Sequence, residues 1–290
     1  MFSSPIIRQL LASISLFGAA TAAIAQPLSI EVYNPGESAI FPVTSTLISG
    51  ERDAILVDAQ FSTREAQQLV ERIQASGKNL TTIFISHGDP DFYFGLDTLT
   101  RAFPKAKVLA TPQTIAYIEK SRAPKLAYWG PILKDTAPAR TVVPQALQGD
   151  HLMLEGQPLQ LIGHDPKHTS LWIPSRKTVV GGVLTYANIH PWIADAQTPA
   201  ARQSWLQSLA ELEALQPQTL VPGHYLGKPK LNLDDLRFTR AYLNSLETEL
   251  AKAQNSQALI AAMTARYPQL LDASSLELSA KVLKGEMQWP

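Results

Sequence analysis

An α/β fold is predicted by three features of this chain: short β-branched runs alternate with amphipathic helical stretches, glycine and proline punctuate them, and all-helical sequence follows Leu233. The length of 290 residues, with 45% hydrophobic and 17% charged, is ordinary for a globular protein and supplies a core of good size. Lys+Arg and Asp+Glu both total 25, and no long basic run occurs, which argues against nucleic acid as a partner. Cysteine is absent, so disulfide staples and thiolate metal sites are excluded, as is thiol catalysis.

The amino terminus reads as a leader. A single charge at Arg8, an apolar stretch from Leu10 and the exit Ala23-Ile24-Ala25 match a secretory signal peptide. Residues 1–25 are therefore set apart, and the mature chain is expected to begin near Gln26 and to be exported, to the periplasm or beyond. The apolar stretch is short for a membrane span, so none is expected after cleavage.

The elements follow in order. "SAIFPVTSTLIS" and "AILVDA" flank Gly50-Glu51-Arg52-Asp53 and predict a hairpin. Ser62 with Glu65 forms a capping-box pattern ahead of Ala66, Leu69, Val70 and Ile73, and Gly77 stops that helix. "TTIFIS" predicts a buried strand ending at Ser86. A helix is expected from Tyr93 to Phe103, a strand at "KVLAT" and a helix from Pro112 to Ser121. Four prolines in residues 122–150 suggest an irregular crossing segment. "LQLIGHD", "SLWIPS" and "TVVGGVLT" predict three strands, Ala200–Leu215 a helix, and "TLVPGH" a last strand. Alternation in both halves suggests one domain over 26–290 with an internal two-fold and a helical extension from about 233.

His87, His164 and His224 each occupy the first turn after a short apolar strand, where α/β proteins gather their chemistry. The turn "SHGDPDFYFG" adds Asp89 and Asp91 to His87. No G-x-S-x-G, S-x-x-K, phosphate loop or dinucleotide fingerprint is present.

"HGDPDFYFG" resembles the H-x-H-x-D-H-x-x-G signature of the metallo-β-lactamase fold. "AILVDA" (ending in Asp58), "LIGHDPKHTSLWIPSRKTVVGG", "NIHPW" and "LVPGH" resemble further family segments in the same order, over roughly residues 30–230. The resemblance implies a four-layer αββα sandwich with a metal site at one edge of two packed sheets. By the same resemblance the first metal position falls on His87, Asp89 and His164, and the second on Asp91, Phe92 and His224, with the bridging aspartate at Gly182. Asp89, Phe92 and Gly182 depart from the family pattern. Two imidazoles and one carboxylate still form a three-ligand face for zinc or iron, whereas phenylalanine and glycine offer no side-chain donor.

One zinc ion at most is expected, with iron or no metal as alternatives. The reaction implied is hydrolysis of an ester, thioester, lactone, amide or β-lactam in a small-molecule substrate, with Asp91 or His224 handling the proton. Asp58 and His168 are expected to orient ligands, and His190 to meet substrate or pack. His151 is expected on the surface, and Tyr93, Trp129 and Trp192 are candidates to line a pocket. The alternatives are a non-catalytic relative that binds a ligand or partner, and an iron enzyme of oxygen chemistry, as the fold supports in persulfide dioxygenases. Oligomeric state is not legible.

Overall fold

The computed structural model describes residues 26–165 and 168–289. The leader read at residues 1–25 lies outside that range.

Two sheets pack face to face. The first contains β1 (Ser29–Tyr33), β2 (Ser45–Ser49), β3 (Asp53–Val57), β4 (Asn79–Ile85), β5 (Lys107–Ala110) and β6 (Gln145–Ala146), in that spatial order. Its first three strands are antiparallel, and β3 to β6 run parallel. The parallel pairs need crossovers, supplied by α1 (Thr63–Ala75), by α2 (Pro90–Tyr93) with α3 (Leu96–Ala102), and by α4 (Pro112–Leu133). The second sheet has the order β12-β10-β9-β8-β7, built from β7 (His151–Leu154), β8 (Gln157–Ile162), β9 (Ser170–Ile173), β10 (Thr178–Val180) and β12 (Thr219–Leu220). A small ribbon pairs β11 (Tyr186–Ala187) with β13 (His224–Tyr225).

Side-chain alternation along β3 shows how the layers arise. Ile55 and Val57 face the second sheet, joining Phe84, Leu159, Leu171 and Val180 between the sheets. Ala54 and Leu56 face the other way, toward Leu69, Ile73, Leu99 and Ile118 of the flanking helices. On the far side, Val179 and Leu220 pack against α5 (Pro199–Ala214), α6 (Leu233–Lys252), α7 (Ser256–Arg266) and α8 (Ala273–Leu283). The result is the expected αββα sandwich. The helices after Leu233 form much of its second outer layer, with Leu236, Leu243, Leu246 and Leu276 buried.

Several local expectations hold. The hairpin closes with Gly50 N–H donating to Asp53 O (2.9 Å), and α1 carries the full Ser62/Glu65 capping box. Two do not. The helix expected from Tyr93 to Phe103 is split into α2 and α3 at Gly95, where a Cβ would lie 1.9 Å from the Ala59 carbonyl oxygen. Residues 122–133 are not irregular but continue α4 through Pro124 and Pro131. Each proline removes one helical hydrogen bond, and burial of Ile118, Lys125, Trp129 and Leu133 along one stripe offsets that loss.

Candidate active site

Three strand ends are tied together beneath the site. Asp58, just past β3, takes the left-handed backbone conformation (φ 64°). Its carboxylate accepts hydrogen bonds from Ser86 N–H (2.8 Å) and from the Ser86 hydroxyl (2.7 Å). Ser86 Oγ in turn accepts from Gly182 N–H (2.8 Å), past the end of β10. The Ser86 carbonyl receives Thr169 Oγ1 (2.9 Å), which docks the β8–β9 loop. Burial pushes the Asp58 carboxyl up to about 7, against the opposing pull of its Ser86 hydrogen bonds and of His87.

That docking decides which histidine meets His87. Residues 87 and 168 form an isolated antiparallel bridge, and their rings stack with centroids 4.9 Å apart. His164, expected there, is instead half-exposed and contacts Glu211 (3.2 Å). Both histidines belong to one loop, and the Ser86–Thr169 contact selects the later one. His168 Nδ1 is 2.9 Å from Asp165 Oδ2, leaving Nε2 as its remaining ring nitrogen. Burial holds the His168 pKa below its ordinary value, against the opposing effect of Asp165.

Asp89 has its two oxygens divided. Oδ2 meets His87 Nε2 at 3.0 Å. Oδ1 accepts from Tyr117 Oη and from Lys125 Nζ, both at 3.2 Å. Gly88 permits this packing, because a Cβ there would lie 2.4 Å from the Tyr117 ring. Burial disfavours the Asp89 anion, but His87 and Lys125 outweigh it and hold the carboxyl well below the usual range. The Lys125 ammonium is itself buried, 5.0 Å from the centre of the Trp289 ring. Trp289 and Trp192 both donate their indole N–H to Asp195, whose carboxyl burial and the Asp89 charge push up to about 6. Ser86, Tyr117, Lys125 and Asp195 were not legible as site residues. The one signal was Lys125, a charge at a stripe position of α4 otherwise held by Ile118, Trp129 and Leu133.

Asp91 Oδ2 stands 2.7 Å from His224 Nε2, both side chains nearly buried. His224 stacks on Tyr186 (5.2 Å, 10°). Phe92 places its edge against both His87 and His224, with centroids at 5.2 and 5.5 Å. Gly182 does not face this position. A Cβ on it would lie 2.5 Å from the Thr169 carbonyl oxygen, whereas its neighbour Val183 lines the clefts on both sides of Asp89. Val183, not Gly182, is thus the residue that borders Asp91 and His224 in the second cleft.

Of the remaining candidates, His190 is buried beside Tyr242 (2.9 Å between Nδ1 and Oη), away from both clefts. Tyr93 and Trp129 are core residues. Trp192 does line both clefts. His151 lies on the surface against Asp150.

The family model of the metallo-beta-lactamase superfamily matches residues 39–224, well over half of the chain. The chain belongs to the metallo-beta-lactamase superfamily. Among solved structures it is similar to a metallo-beta-lactamase family protein from Thermus thermophilus, with TM-score 0.61 and 19% identity over 88% of this chain and 93% of that one. A beta-lactamase domain protein from Burkholderia ambifaria gives TM-score 0.62 and 16% identity over 88% and 84%. The DIM-1 metallo-beta-lactamase gives 0.54 and 18% over 76% and 98%. At these identities the likeness is one of fold. Among curated proteins, the uncharacterized protein YobT of Bacillus subtilis (strain 168) is 34% identical over 71 residues. That match spans 24% of this chain and less than a third of YobT, 30%.

Metal ions, often zinc, are typical of this superfamily. In this member the two metal positions differ. His87 Nε2, Asp89 Oδ2 and His168 are the right kinds of donor for one ion, and Asp165, Tyr117 and Lys125 already hold their other atoms. Their arrangement is closed, however: His87 and Asp89 bond to each other, and among the described residues no three His, Asp or Glu side chains are placed to hold a metal ion. Opening the His87–Asp89 contact is a side-chain movement. The second position keeps only two donors, Asp91 and His224, because Phe92 and Val183 stand beside them and offer none.

Proposed function

We propose that this protein is a hydrolase of the superfamily that takes a single ion at His87, Asp89 and His168 and cleaves an ester, thioester, lactone or amide in a small molecule. The observation that supports it is a surplus of carboxylates. Asp89, Asp91, Asp165 and Asp195 line the paired clefts, Asp58 is buried beneath them, and Lys125 is the buried ammonium that pairs with Asp89. Repulsion within this set contributes to the raised Asp58 and Asp195 values, and a bound cation would relieve it. When bound, such an ion supplies a polarised carbonyl and a more acidic water.

The chain's own residues do the rest. Asp91 lines the second cleft and accepts the water proton, while His224, at 2.7 Å, orients that carboxylate. Asp165 sets the His168 tautomer, and Tyr117 holds Oδ1 of Asp89. Val183, Trp192 and Phe92 wall the space against bulk water.

A second reading rests on Lys125. Its ammonium already neutralises Asp89 at 3.2 Å, as expected of a relative that binds a small molecule without an ion. Metal content of the full chain, produced without a histidine tag, separates the two. About one ion per chain, lost in His168→Ala and retained in His164→Ala, supports the hydrolase, and p-nitrophenyl ester cleavage should fall about 100-fold or more with the ion. No ion after zinc is supplied supports the binding protein, and iron would redirect the search to oxygen chemistry. Export follows from the leader at residues 1–25, and a mature start near Gln26 is the expected result of amino-terminal sequencing. Among the described residues no helix is long and apolar enough to cross a membrane.

A further inference from the structure

Beside the His87–Asp89–His168 cluster lies a cleft with about 550 Å³ of empty space, its open mouth included. Most of its wall is apolar, from Val183, Leu184, Ala196, Ala201, Trp192 and Trp205. Ser208 also lines it. The Ser208 side chain is buried on α5, and its Oγ has no hydrogen-bond partner. A serine in a helix commonly returns its hydroxyl to the carbonyl four residues back, so a buried hydroxyl left unbonded beside a cavity costs stability that a ligand can restore. The charged groups on this wall are of one sign: Asp89, Asp165 and Asp195 line it, and among the described residues no lysine or arginine does.

We infer that this cleft seats the apolar acyl arm of an uncharged compound, with a carbonyl oxygen accepting a hydrogen bond from the Ser208 hydroxyl. The inference builds on the hydrolase reading, for which it names the substrate class: neutral medium-chain acyl compounds, not carboxylate-bearing ones. In the metal-free chain an acid in this wall would face three aspartates, and the Lys125 ammonium that pairs with Asp89 is not among the lining residues. A primary amine would gain their attraction but would leave the Ser208 proton without an acceptor, since an ammonium group only donates.

The test is a calorimetric titration of the full chain, freed of metal, with 2-octanone, octanoate and octylamine, followed in parallel by the fluorescence of Trp192 and Trp205. A ketone has no hydrolysable bond, so its binding is read independently of catalysis, and failure here is distinct from failure of the hydrolase reading. The expected result is tightest binding of 2-octanone, with octanoate weaker by about tenfold or more. Ser208→Ala should weaken the ketone by about 3- to 10-fold, and Ala201→Phe, which fills the cleft, should abolish it. The inference is overturned if octanoate or octylamine binds as tightly as the ketone, if Ser208→Ala leaves its affinity unchanged, or if 2-octanone does not bind.

Discussion

The two clusters that the family resemblance marks as metal positions lie side by side here and differ in opposite ways. At the first, two imidazoles and a carboxylate remain, and a buried lysine has joined them. At the second, a carboxylate and an imidazole bond directly at 2.7 Å, while Phe92 packs against the imidazole and Val183 borders the cleft. The first position has kept its polarity and balanced it with charge. The second has been filled with hydrocarbon, which holds the Asp91–His224 pair as a unit. Metal capacity can thus be lost by neutralisation or by exclusion, and only the former is reversible by moving a side chain.

The largest effect expected from breaking this contrast is at Lys125. Lys125→Met leaves Asp89 buried without its ammonium, and metal-free protein should lose about 3–5 kcal/mol in urea denaturation. Zinc should then bind more tightly than to the parent chain and recover part of the loss. Unchanged stability with weaker zinc binding would make Lys125 a support of the ion position, not its rival.

The second position is sharpened by a pair of variants. Phe92→His with Val183→Asp should raise the metal count from one to two per chain. Gly182→Asp should not. It forces a side chain onto φ 84° and into the Thr169 carbonyl, at a cost of about 2–3 kcal/mol in denaturant midpoint analysis. A second ion in Gly182→Asp would return the bridging position to that residue.

The smallest effect concerns Asp58 beneath both positions. Its folded value near 7 lies above its ordinary 3.8. Below pH 3.8 both folded and unfolded chains hold the proton, and between about 4 and 7 the unfolded chain releases it first. Stability therefore falls with rising pH across that window and is level above it. Asp58→Asn keeps an acceptor for Ser86 N–H and suits the left-handed backbone, so it should flatten the profile across that window in metal-free protein. An unaltered slope would place the titration elsewhere.

Much of the architecture was legible because each layer leaves a local trace: alternation in β3, the capping box of α1, the strand-end histidines. What failed did so for want of register. His164 and His168 share one loop, and what distinguishes them is the docking of its end on Ser86 and His87, which no local pattern reports. Gly182 and Val183 differ by one residue in a bend where Gly181 and Gly182 both take positive φ, so neighbouring positions face different ways. Lys125 was hidden because four prolines made its helix look irregular, though tertiary burial overrides that local penalty.

The serine that joins the strand ends has a consequence for synthesis. Asp58, Ser86, Thr169 and Gly182 are far apart in the chain, yet they meet at one residue. As the polypeptide emerges from the ribosome, the turn carrying His87 is made early, but its partner beside the second sheet, Thr169, follows Ser86 by 83 residues. Chains interrupted before residue 182 can build the first sheet and still hold no cleft. Ligand binding at this site therefore reports that both halves of the polypeptide have been made and joined.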